Sequence, residues 1–380
     1  MSNKYEFIAP CHFGLEAVCK REIADLGYEI VKVEDGKVTF AGDMDALVRA
    51  NIFLRTTQRI LLKVSEFKAV TFEELFQNVK KVPWEEYFPS DARFWVTKAT
   101  SVKSKLFSPS DIQSIVKKAM VERMKEHYHI NWFEEDGADY PVRVIIYKDI
   151  VTIGLDTSGE SLHKRGYRIK DVAAPIKETL AAAMVQLSFW KEGRILVDPC
   201  CGSGTIPIEA ALIGRNIAPG LNRSFACEDW EFIDKNLWKE EKRAAFQAIR
   251  YDEKLDITGM DIDPKAVAAA KQNAEEAGVE DCIHFRRADA AKLHAEGQNG
   301  ILFTNPPYGE RIGEEKEIQK IYGGLKNFLQ NHPDWSLFLV TTDKDAEEKI
   351  LQRKADRRRK LYNGRLEVCY YQFHGQKPGK

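Results

Sequence analysis

The segment GILFTNPPYGER, residues 300–311, places an asparagine, two prolines and a tyrosine directly behind a short apolar run. The Asn305 side-chain oxygen and the Pro306 carbonyl offer two hydrogen-bond acceptors, and Pro307 adds no competing N–H. Two fixed acceptors suit the exocyclic amine of a nucleobase, whose lone pair is otherwise delocalised into the ring. The Tyr308 ring could stack on an extruded base. We therefore predict Asn305, Pro306, Pro307 and Tyr308 as catalytic residues; the alternative is a rigid strand end with a packed tyrosine.

A second set of candidate residues follows three other strand-like runs. RILVD ends in Asp198 and leads into DPCCGSGT, where Gly202 and Gly204 would let the backbone turn tightly and approach a ligand. DITGMD ends in Asp261, whose carboxylate suits contact with two ribose hydroxyls. After CIHFRR, Asp289 could accept a hydrogen bond from an adenine amino group. These positions predict a nucleoside-containing ligand.

The elements that must position these residues differ between the two halves of the chain. After about residue 175, strand-like runs alternate with helical stretches, which is typical of an α/β protein with a doubly wound, mostly parallel sheet. Asn-Gly in RKLYNGRLEVCYYQF predicts a C-terminal β-hairpin. Before residue 168, the pattern predicts two small α+β units, with a tight turn at Lys148–Asp149 and a long helix capped by Ser110.

The glycine loop, the acidic strand end, the second aspartate and NPPY resemble, in order and interval, the Rossmann-like S-adenosylmethionine-dependent methyltransferases. The resemblance spans about residues 170–375 and implies S-adenosyl-L-methionine as the cofactor. It implies that the first loop holds the methionine part, Asp261 the ribose and Asp289 the adenine. The predicted cofactor-binding residues are Asp198, Pro199, Cys200, Gly202, Ser203, Gly204, Thr205, Asp261, Ile262, Asp289 and Ala290. The loop lacks a full G-x-G-x-x-G, which weighs against a nicotinamide cofactor.

The N-terminal half resembles an RNA reader. FWVTKATSVKSKLFSPSDIQSIVKKAM resembles the THUMP domain, an RNA-binding module that accompanies RNA-modifying catalytic domains, and the preceding residues resemble the ferredoxin-like piece that often precedes it. Lys98, Lys103 and Lys105 could contact phosphates there. We predict a ferredoxin-like piece over residues 1–64, a THUMP RNA-binding domain over 65–165 and the methyltransferase domain over 170–380.

Three segments, SLHKRGYR, APIKETLAAA and NPPYGER, together resemble the bacterial 23S (large-subunit) ribosomal RNA guanine-N2 methyltransferases with a THUMP domain. This resemblance implies methylation of the exocyclic N2 amine of a guanine in 23S ribosomal RNA or its precursor. It adds Lys164, Arg165 and Arg168 as RNA-binding residues. Some members carry a second methyltransferase domain; this sequence has none, so no second modification is expected.

Three alternatives stay open on the residues alone. THUMP-containing tRNA guanine-N2 methyltransferases share the same plan. DNA adenine methylation would satisfy NPPY by itself, although the THUMP-like half counts against it. A non-catalytic RNA-binding factor would require a degraded cofactor loop, whereas DPCCGSGT is intact.

Composition narrows the class of protein further. No apolar run reaches the about 18 residues of a membrane span, and MSNKYEFIAP lacks the apolar core of a secretory signal. Seven cysteines without zinc-like spacing predict reduced thiols in the cytoplasm and no metal site. The net charge is −1, so an RNA-binding surface must be local; RKADRRRK, residues 353–360, is one candidate, with a solvated helix face as the alternative. Trp230 and Trp238 are expected to pack rather than to stack on bases.

Overall fold

The computed structural model describes residues 4–170, 175–308, 314–364 and 366–376, which fold into two compact units. The first unit contains the residues up to Cys11 together with Cys19–Leu162 and Arg223–Ala244. The second contains His12–Val18, His163–Asn222 and the chain from Ala245 onward. Both units are discontinuous, so neither coincides with one of the three uninterrupted segments that the sequence predicts.

The first unit is built on one seven-stranded sheet. Its strands are β1 (Tyr5–Pro10), β2 (Glu29–Glu34), β3 (Lys37–Gly42), β4 (Leu61–Lys68), β5 (Arg93–Val102), β6 (Asp139–Tyr147) and β7 (Ile150–Asp156). The helices along this part of the chain are α1 (Glu16–Asp25), α2 (Met44–Phe53), α3 (Phe72–Lys80) and α4 (Pro109–Tyr128). The strand order is β2-β3-β1-β4-β7-β6-β5. Because β4 pairs with β1 on one side and β7 on the other, the two expected α+β pieces share a single sheet.

Two local predictions in this unit have different outcomes. The turn between β6 and β7 is confirmed, since Lys148 and Asp149 both have positive φ, 50° and 63°, as a two-residue hairpin of the common type requires. The predicted N-cap at Ser110 is wrong by two residues: α4 begins at Pro109, and the Ser108 hydroxyl accepts from the Asp111 N–H. Proline tolerates the first helical turn, so the helix starts earlier than its polar sequence suggests.

The second unit has the predicted doubly wound sheet. Its strands are β8 (Leu196–Asp198), β9 (Ile257–Asp261), β10 (Ile283–Arg287), β11 (Ile301–Thr304), β12 (Ser336–Thr341), β13 (Arg357–Asn363) and β14 (Leu366–Phe373). The α-helices in this part of the chain are α5 (Glu178–Leu187), α6 (Thr205–Gly214), α7 (Lys235–Gln247), α8 (Pro264–Glu276), α9 (Glu314–Asn331) and α10 (Ala346–Ile350). Short 3-10 turns cover Trp84–Glu86, Ala226–Asp229, Glu280–Cys282 and Ala290–Lys292.

The strand order in the second unit is β10-β9-β8-β11-β12-β14-β13. The predicted site residues lie at the carboxyl ends of its parallel strands. The five strands from β10 to β12 are parallel, and the C-terminal hairpin β13–β14 adds antiparallel to β12, as predicted. The direction of strand succession reverses between β8 and β11. Ligands of such sheets bind beyond the carboxyl ends of the strands at this reversal, where Asp198 and Asn305 lie.

Both faces of this sheet are buried, and packing on both sides holds the strands that carry the site in position. Leu339 and Val340 are neighbours on β12, and each is fully buried, in a different apolar cluster. Tyr370 and Tyr371 on β14 divide in the same way. Burial on both faces explains why these strands are nearly continuous apolar runs rather than alternating ones.

The long stretch between the glycine loop and β9 packs with the first unit through aromatic rings. Trp230 is fully buried, and its ring lies 5.0 Å from that of Tyr140 in a stacked arrangement. The Trp230 indole N–H donates to the Asp139 carbonyl at 2.8 Å. Trp238, 5% exposed, stacks on Phe225. Both tryptophans are packing residues, and the contacts of Trp230 with Tyr140 and Asp139 join Arg223–Ala244 to the sheet of the first unit.

The basic segment at residues 353–360 is not a helix. Its second half forms β13, at the edge of the sheet. Arg353 pairs with Asp356 at 3.2 Å and Lys360 with Glu367 at 2.6 Å, while Arg358 lies over the Tyr371 ring. Neighbouring residues therefore pair with part of the positive charge that the sequence analysis considered for phosphate contact.

No helix in the described ranges is long and apolar enough to cross a membrane.

Candidate active site

The glycine loop after β8 has a backbone that only glycine adopts easily. Gly202 and Gly204 have φ of 54° and 85°, in the left-handed region. A Cβ on Gly204 would lie 3.0 Å from both the Ala270 Cβ and the Phe285 ring, so this position is also sterically closed to larger residues. The Cys201 N–H donates to the Met260 carbonyl at 2.8 Å, which ties the loop to β9. Helix α6 begins directly behind the loop, so its free N–H groups face the edge where a ligand binds.

Asp261 at the end of β9 is fixed against this loop. Its Oδ2 accepts from the Gly202 N–H at 3.0 Å, and its Oδ1 accepts from the Asp263 N–H at 2.9 Å. The side chain is half-buried, and each carboxylate oxygen can accept a further hydrogen bond. Asp289 has a similar local role, because its Oδ1 accepts from the Ala291 N–H at 2.9 Å. Backbone donors therefore fix the orientation of both carboxylates.

Asp198 is buried at the start of the loop. Only 1% of it is exposed, and its Oδ1 accepts from the Cys200 N–H at 3.1 Å. Burial raises the pKa of Asp198 to about 8, against the opposing effect of the hydrogen bond from the Cys200 N–H. Burial likewise raises the pKa of the Cys200 thiol, so this cysteine stays protonated at neutral pH. The Asp198 side chain therefore shapes the loop rather than reaching into solvent.

The other predicted cofactor residues divide by exposure. Pro199, Ser203, Thr205 and Ala290 are buried, so any cofactor contact there would come mainly from the backbone. Ile262, by contrast, is 61% exposed beside Asp261. An exposed apolar side chain at the carboxyl end of a parallel sheet is available to contact the flat face of a base.

The NPPY residues follow the end of β11 and are held by a hydrogen bond between two of them. The Tyr308 hydroxyl donates to the Asn305 Oδ1 at 2.6 Å. Asn305 and Tyr308 are half-buried, Pro306 is buried and Pro307 is exposed. The sequence did not reveal that Tyr308 orients Asn305, because spacing alone does not show where a tyrosine hydroxyl points. The remainder of NPPYGER, residues 309–311, lies outside the described residues.

Arg165, predicted to contact RNA, lies in the core instead. It is 4% exposed, and its Nε lies 3.4 Å from the Oε1 of Glu209, which is fully buried on α6. The Tyr167 hydroxyl donates to the same Glu209 oxygen at 3.1 Å. A guanidinium held in a buried ion pair does not reach a phosphate, so the assignment of Arg165 to RNA binding is wrong. Lys164 is exposed, and its assignment stays a prediction.

Arg168 also turns inward, toward the glycine loop. Its Nε donates to Glu178 Oε1 at 2.7 Å and its Nη2 to the Ile176 carbonyl at 3.0 Å. The same guanidinium donates to the hydroxyls of Ser203, at 3.4 Å, and Thr205, at 3.0 Å. The side chain is 14% exposed. These contacts correct the assignment of Arg168 to RNA binding, since the group binds the cofactor loop to the start of α5.

Asn273 on α8, which the sequence analysis missed, completes this support. It is fully buried, and its side-chain nitrogen donates to the Ser203 carbonyl and to the Lys170 carbonyl, both at 3.1 Å. Its side-chain oxygen accepts from the Ile169 N–H at 3.1 Å. One asparagine therefore joins the segment before α5 to the glycine loop. Its position in an ordinary helical pattern gave no sequence signal.

Replacing Arg168 tests whether this support matters for cofactor binding. Arg168→Lys keeps the charge but cannot reproduce contacts that a planar guanidinium makes in several directions. Losing one or two hydrogen bonds of about 0.5–1.5 kcal/mol each should weaken cofactor affinity by roughly tenfold. Isothermal titration calorimetry with S-adenosylmethionine measures the change. Arg353→Lys, at a side chain 44% exposed, is the matched control and should bind normally; equal affinities in the two variants would contradict the role given to Arg168.

The predicted RNA-contacting lysines lie on the first unit. Lys98 is exposed on β5, an edge strand of its sheet, and Lys103 and Lys105 are exposed in the loop that follows. The loop is anchored because the Lys105 N–H donates to Asp149 Oδ1 at 2.7 Å. Phe107, 81% exposed, stands next to these lysines and was missed by the sequence analysis. An exposed aromatic ring among cations is typical of surfaces that bind single-stranded nucleic acid.

Within the described ranges, no group of three or more His, Cys, Asp or Glu side chains is placed to hold a metal ion. All seven cysteines are free thiols, and six of them are buried. His12 and His163 both have a pKa lowered to about 4, chiefly by burial and then by Lys177. Both imidazoles are therefore neutral at physiological pH.

Comparison with known protein families agrees with this geometry. A profile described as the RMKL-like methyltransferase domain matches residues 165–372, more than half of the chain. The chain belongs to this methyltransferase family. Profiles for the RlmL ferredoxin-like domain and the THUMP domain match residues 6–61 and 69–156. The two predicted N-terminal domain types and the Rossmann-like catalytic fold are thereby confirmed.

Individual members of the family are similar over the whole chain. The "Putative RNA methyltransferase YpsC" of Bacillus subtilis (strain 168) is 47% identical over 98% of this chain and 96% of its own length. The "Ribosomal RNA large subunit methyltransferase K/L" of Syntrophotalea carbinolica is 34% identical over 98% of this chain, which spans 54% of that enzyme.

A solved structure connects the family to its cofactor. The structure of SMU.472, described as "a putative methyltransferase complexed with SAH", is 42% identical, superposes with a TM-score of 0.93 and covers all of both chains. Together with the family match, it shows that this protein is an S-adenosylmethionine-dependent RNA methyltransferase. The prediction of the cofactor is confirmed.

Proposed function

We propose that the protein methylates the exocyclic N2 amine of a guanine in 23S ribosomal RNA or its precursor. The observation that carries this proposal is the Asn305 acceptor, oriented by Tyr308 at the end of β11, next to the strand that leads into the glycine loop. A hydrogen-bond acceptor at the end of β11 is suited to bind an N–H group of the target amine. The THUMP domain favours RNA over DNA, and the similarity to a large-subunit ribosomal RNA methyltransferase favours ribosomal RNA over tRNA. An enzyme acting on ribosomal RNA would work in the cytoplasm.

The residues at the sheet edge fit the cofactor. The two loop glycines with left-handed φ leave the backbone uncovered at their own positions. Asp261 lies beside them, and its carboxylate can accept further hydrogen bonds. We assign the loop from Asp198 to Thr205 to the methionine part, Asp261 and Ile262 to the ribose and its surroundings, and Asp289 and Ala290 to the adenine. The bound cofactor supplies an electrophilic methyl group. The residues of the chain hold it at the edge where β11 also ends.

Activation of the amine would fall to the NPPY residues. The Asn305 and Pro306 oxygens would accept the two N–H groups of the target amine and draw its nitrogen toward tetrahedral geometry. The motif itself holds no carboxylate, so we assign activation to these fixed acceptors rather than to a strong base. The Tyr308 ring would cover the extruded base, while its hydroxyl keeps Asn305 in place.

Mass mapping of methylated nucleosides tests the proposed substrate. RNA from a deletion strain would be treated with the purified protein and isotope-labelled S-adenosylmethionine, and 23S ribosomal RNA and tRNA would be separated and digested. We expect labelled N2-methylguanosine in 23S ribosomal RNA. Label confined to tRNA, or found as N6-methyladenosine, would contradict the proposal.

Reversing the charge of the loop after β5 should weaken RNA binding. Each lost phosphate contact should reduce the slope of log affinity against log salt by about 0.7–0.9, so the double variant Lys103→Glu/Lys105→Glu should reduce it by about 1–2 units. Filter binding of ribosomal RNA at several salt concentrations measures the slope. Lys81→Glu, a single charge reversal at another exposed site of the first unit, is the control for the effect of each substitution. An unchanged slope in the double variant would remove these lysines from the RNA surface.

A further inference from the structure

A pocket of about 250 Å³ lies next to Tyr308 in the second unit. Its walls include Tyr308 itself, Ile318 and Tyr322 of α9, and Asp343 and Lys349 from the region after β12. This volume is below the roughly 300–1,000 Å³ of pockets for drug-sized ligands and suits a single planar base. Tyr308 connects this pocket to the proposed amine acceptor, because its hydroxyl also donates to Asn305.

The walls of this pocket differ in chemistry from one side to the other. Tyr308 and Ile318 present half-buried apolar surface, and Tyr322 is 3% exposed with its hydroxyl 3.2 Å from the Thr341 hydroxyl. Such walls suit the flat faces of an aromatic ring. Asp343 and Lys349 add opposite charges to the wall. The other polar residues of the lining are Glu315, Gln319, Thr341 and Thr342, so the pocket combines stacking surface with several polar groups.

The two charged residues of the pocket wall, Asp343 and Lys349, form an ion pair. Asp343 Oδ2 lies 2.7 Å from the Lys349 ammonium, and Asp343 Oδ1 accepts from the Asp345 N–H at 2.9 Å. The side chain of Asp343 is 20% exposed, so its position is held by these contacts while it remains reachable from the pocket. A carboxylate oxygen can accept two hydrogen bonds and an ammonium can donate three. The pair thus presents an acceptor and a donor side by side.

We propose that this pocket holds the target base and that the Asp343–Lys349 pair selects guanine, an inference that rests on the proposed guanine-N2 function. With the N2 amine at Asn305 and Pro306, the next two groups on the same edge of guanine are the N1–H donor and the O6 acceptor. Asp343 accepts from N1–H, and Lys349 donates to O6. Adenine with its N6 amine at Asn305 would instead turn the N1 lone pair toward the pocket, where a carboxylate repels it.

A base analogue separates recognition from general damage to the fold. RNA oligonucleotides would carry guanosine or 2,6-diaminopurine riboside at the position that mass mapping identifies. 2,6-Diaminopurine keeps the reactive N2 amine but has a bare N1 acceptor and an amine in place of O6. The wild-type enzyme should prefer guanine by roughly a hundredfold or more in kcat/KM, because a site built to pair a polar group strongly rejects an analogue that lacks it. Asp343→Asn should reduce this preference by about tenfold or more, since an amide can donate to the bare N1.

Asp345→Asn is the matched control, because Asp345 is an exposed carboxylate two residues away. It should retain the wild-type preference. A fold defect in Asp343→Asn would slow methylation of both bases equally and leave the kcat/KM ratio of guanine to 2,6-diaminopurine unchanged. An unchanged ratio would overturn the pocket assignment. It would leave the proposed function intact if the wild type methylates guanine. A wild-type ratio near one would also overturn it. If the wild type transfers the methyl group to adenine or to no base amine, the proposed function fails as well.

Discussion

Asn305→Ala is expected to slow methyl transfer by about a hundredfold to a thousandfold, the usual cost of removing one preorganised hydrogen-bonding group from a reacting centre. The Asn305 oxygen would gain strength as the amine becomes tetrahedral, so its contribution would be larger in the transition state than in the ground state. Affinity for S-adenosylmethionine should stay nearly unchanged, because this acceptor faces the target amine. Single-turnover transfer of labelled methyl to ribosomal RNA measures the rate.

Tyr308→Phe and Tyr308→Ala provide the matched comparison. The phenylalanine keeps the ring and removes only the donor to Asn305, which lies 2.6 Å away. One hydrogen bond of about 0.5–1.5 kcal/mol corresponds to a loss of roughly two- to tenfold in rate. Tyr308→Ala also removes the stacking surface and should bind RNA more weakly. Near-normal transfer by Asn305→Ala, or equal damage in both tyrosine variants, would contradict these roles.

Asp261→Ala is expected to weaken binding of S-adenosylmethionine by about tenfold to a hundredfold. The variant would lose the proposed charge-assisted contact to the ribose, worth roughly 1.5–3 kcal/mol. It also leaves the Gly202 N–H without its acceptor, so the glycine loop itself should become less ordered. Calorimetric titration measures the affinity, and circular dichroism confirms that the variant is folded.

Asp263→Ala distinguishes a loss of the ribose contact from a loss of local structure. Asp263 accepts from the Lys265 N–H at the start of α8 and is exposed. Removing such an N-cap costs about 1 kcal/mol of stability and should leave cofactor affinity close to that of the wild type. Unchanged affinity in a folded Asp261→Ala protein would exclude this carboxylate from the cofactor site.

Removing the N-terminal half is a poorer test of RNA delivery than point substitutions. Arg223–Ala244 belongs to the same compact unit as the N-terminal sheet, and Trp230 stacks on Tyr140. A fragment that starts near residue 170 would expose this buried ring and lose its partner. Reduced activity of such a fragment could then reflect a disrupted fold rather than lost RNA contacts, which is why the charge-reversal variant with its control is preferred.

The sequence by itself determined the catalytic fold and which residues follow the carboxyl ends of its parallel strands. Strand-like runs that end in Asp198, Asp261 and Asn305 are local features, and parallel strands bring their carboxyl ends together by topology alone. The glycines of the loop were recognisable because left-handed φ has a residue preference. The turn at Lys148–Asp149 was readable from its sequence because its two residues favour or tolerate positive φ.

Only the tertiary structure decided which way the polar side chains of the linking segment point. Arg165 and Arg168 look like surface cations in sequence, yet one pairs with buried Glu209 and the other holds the glycine loop through Ser203 and Thr205. These three partners lie 35 or more residues away along the chain, although Arg168 also pairs with Glu178, ten residues away. A buried charge is stable only when paired, and pairing over such distances depends on how helices pack, which no local pattern encodes.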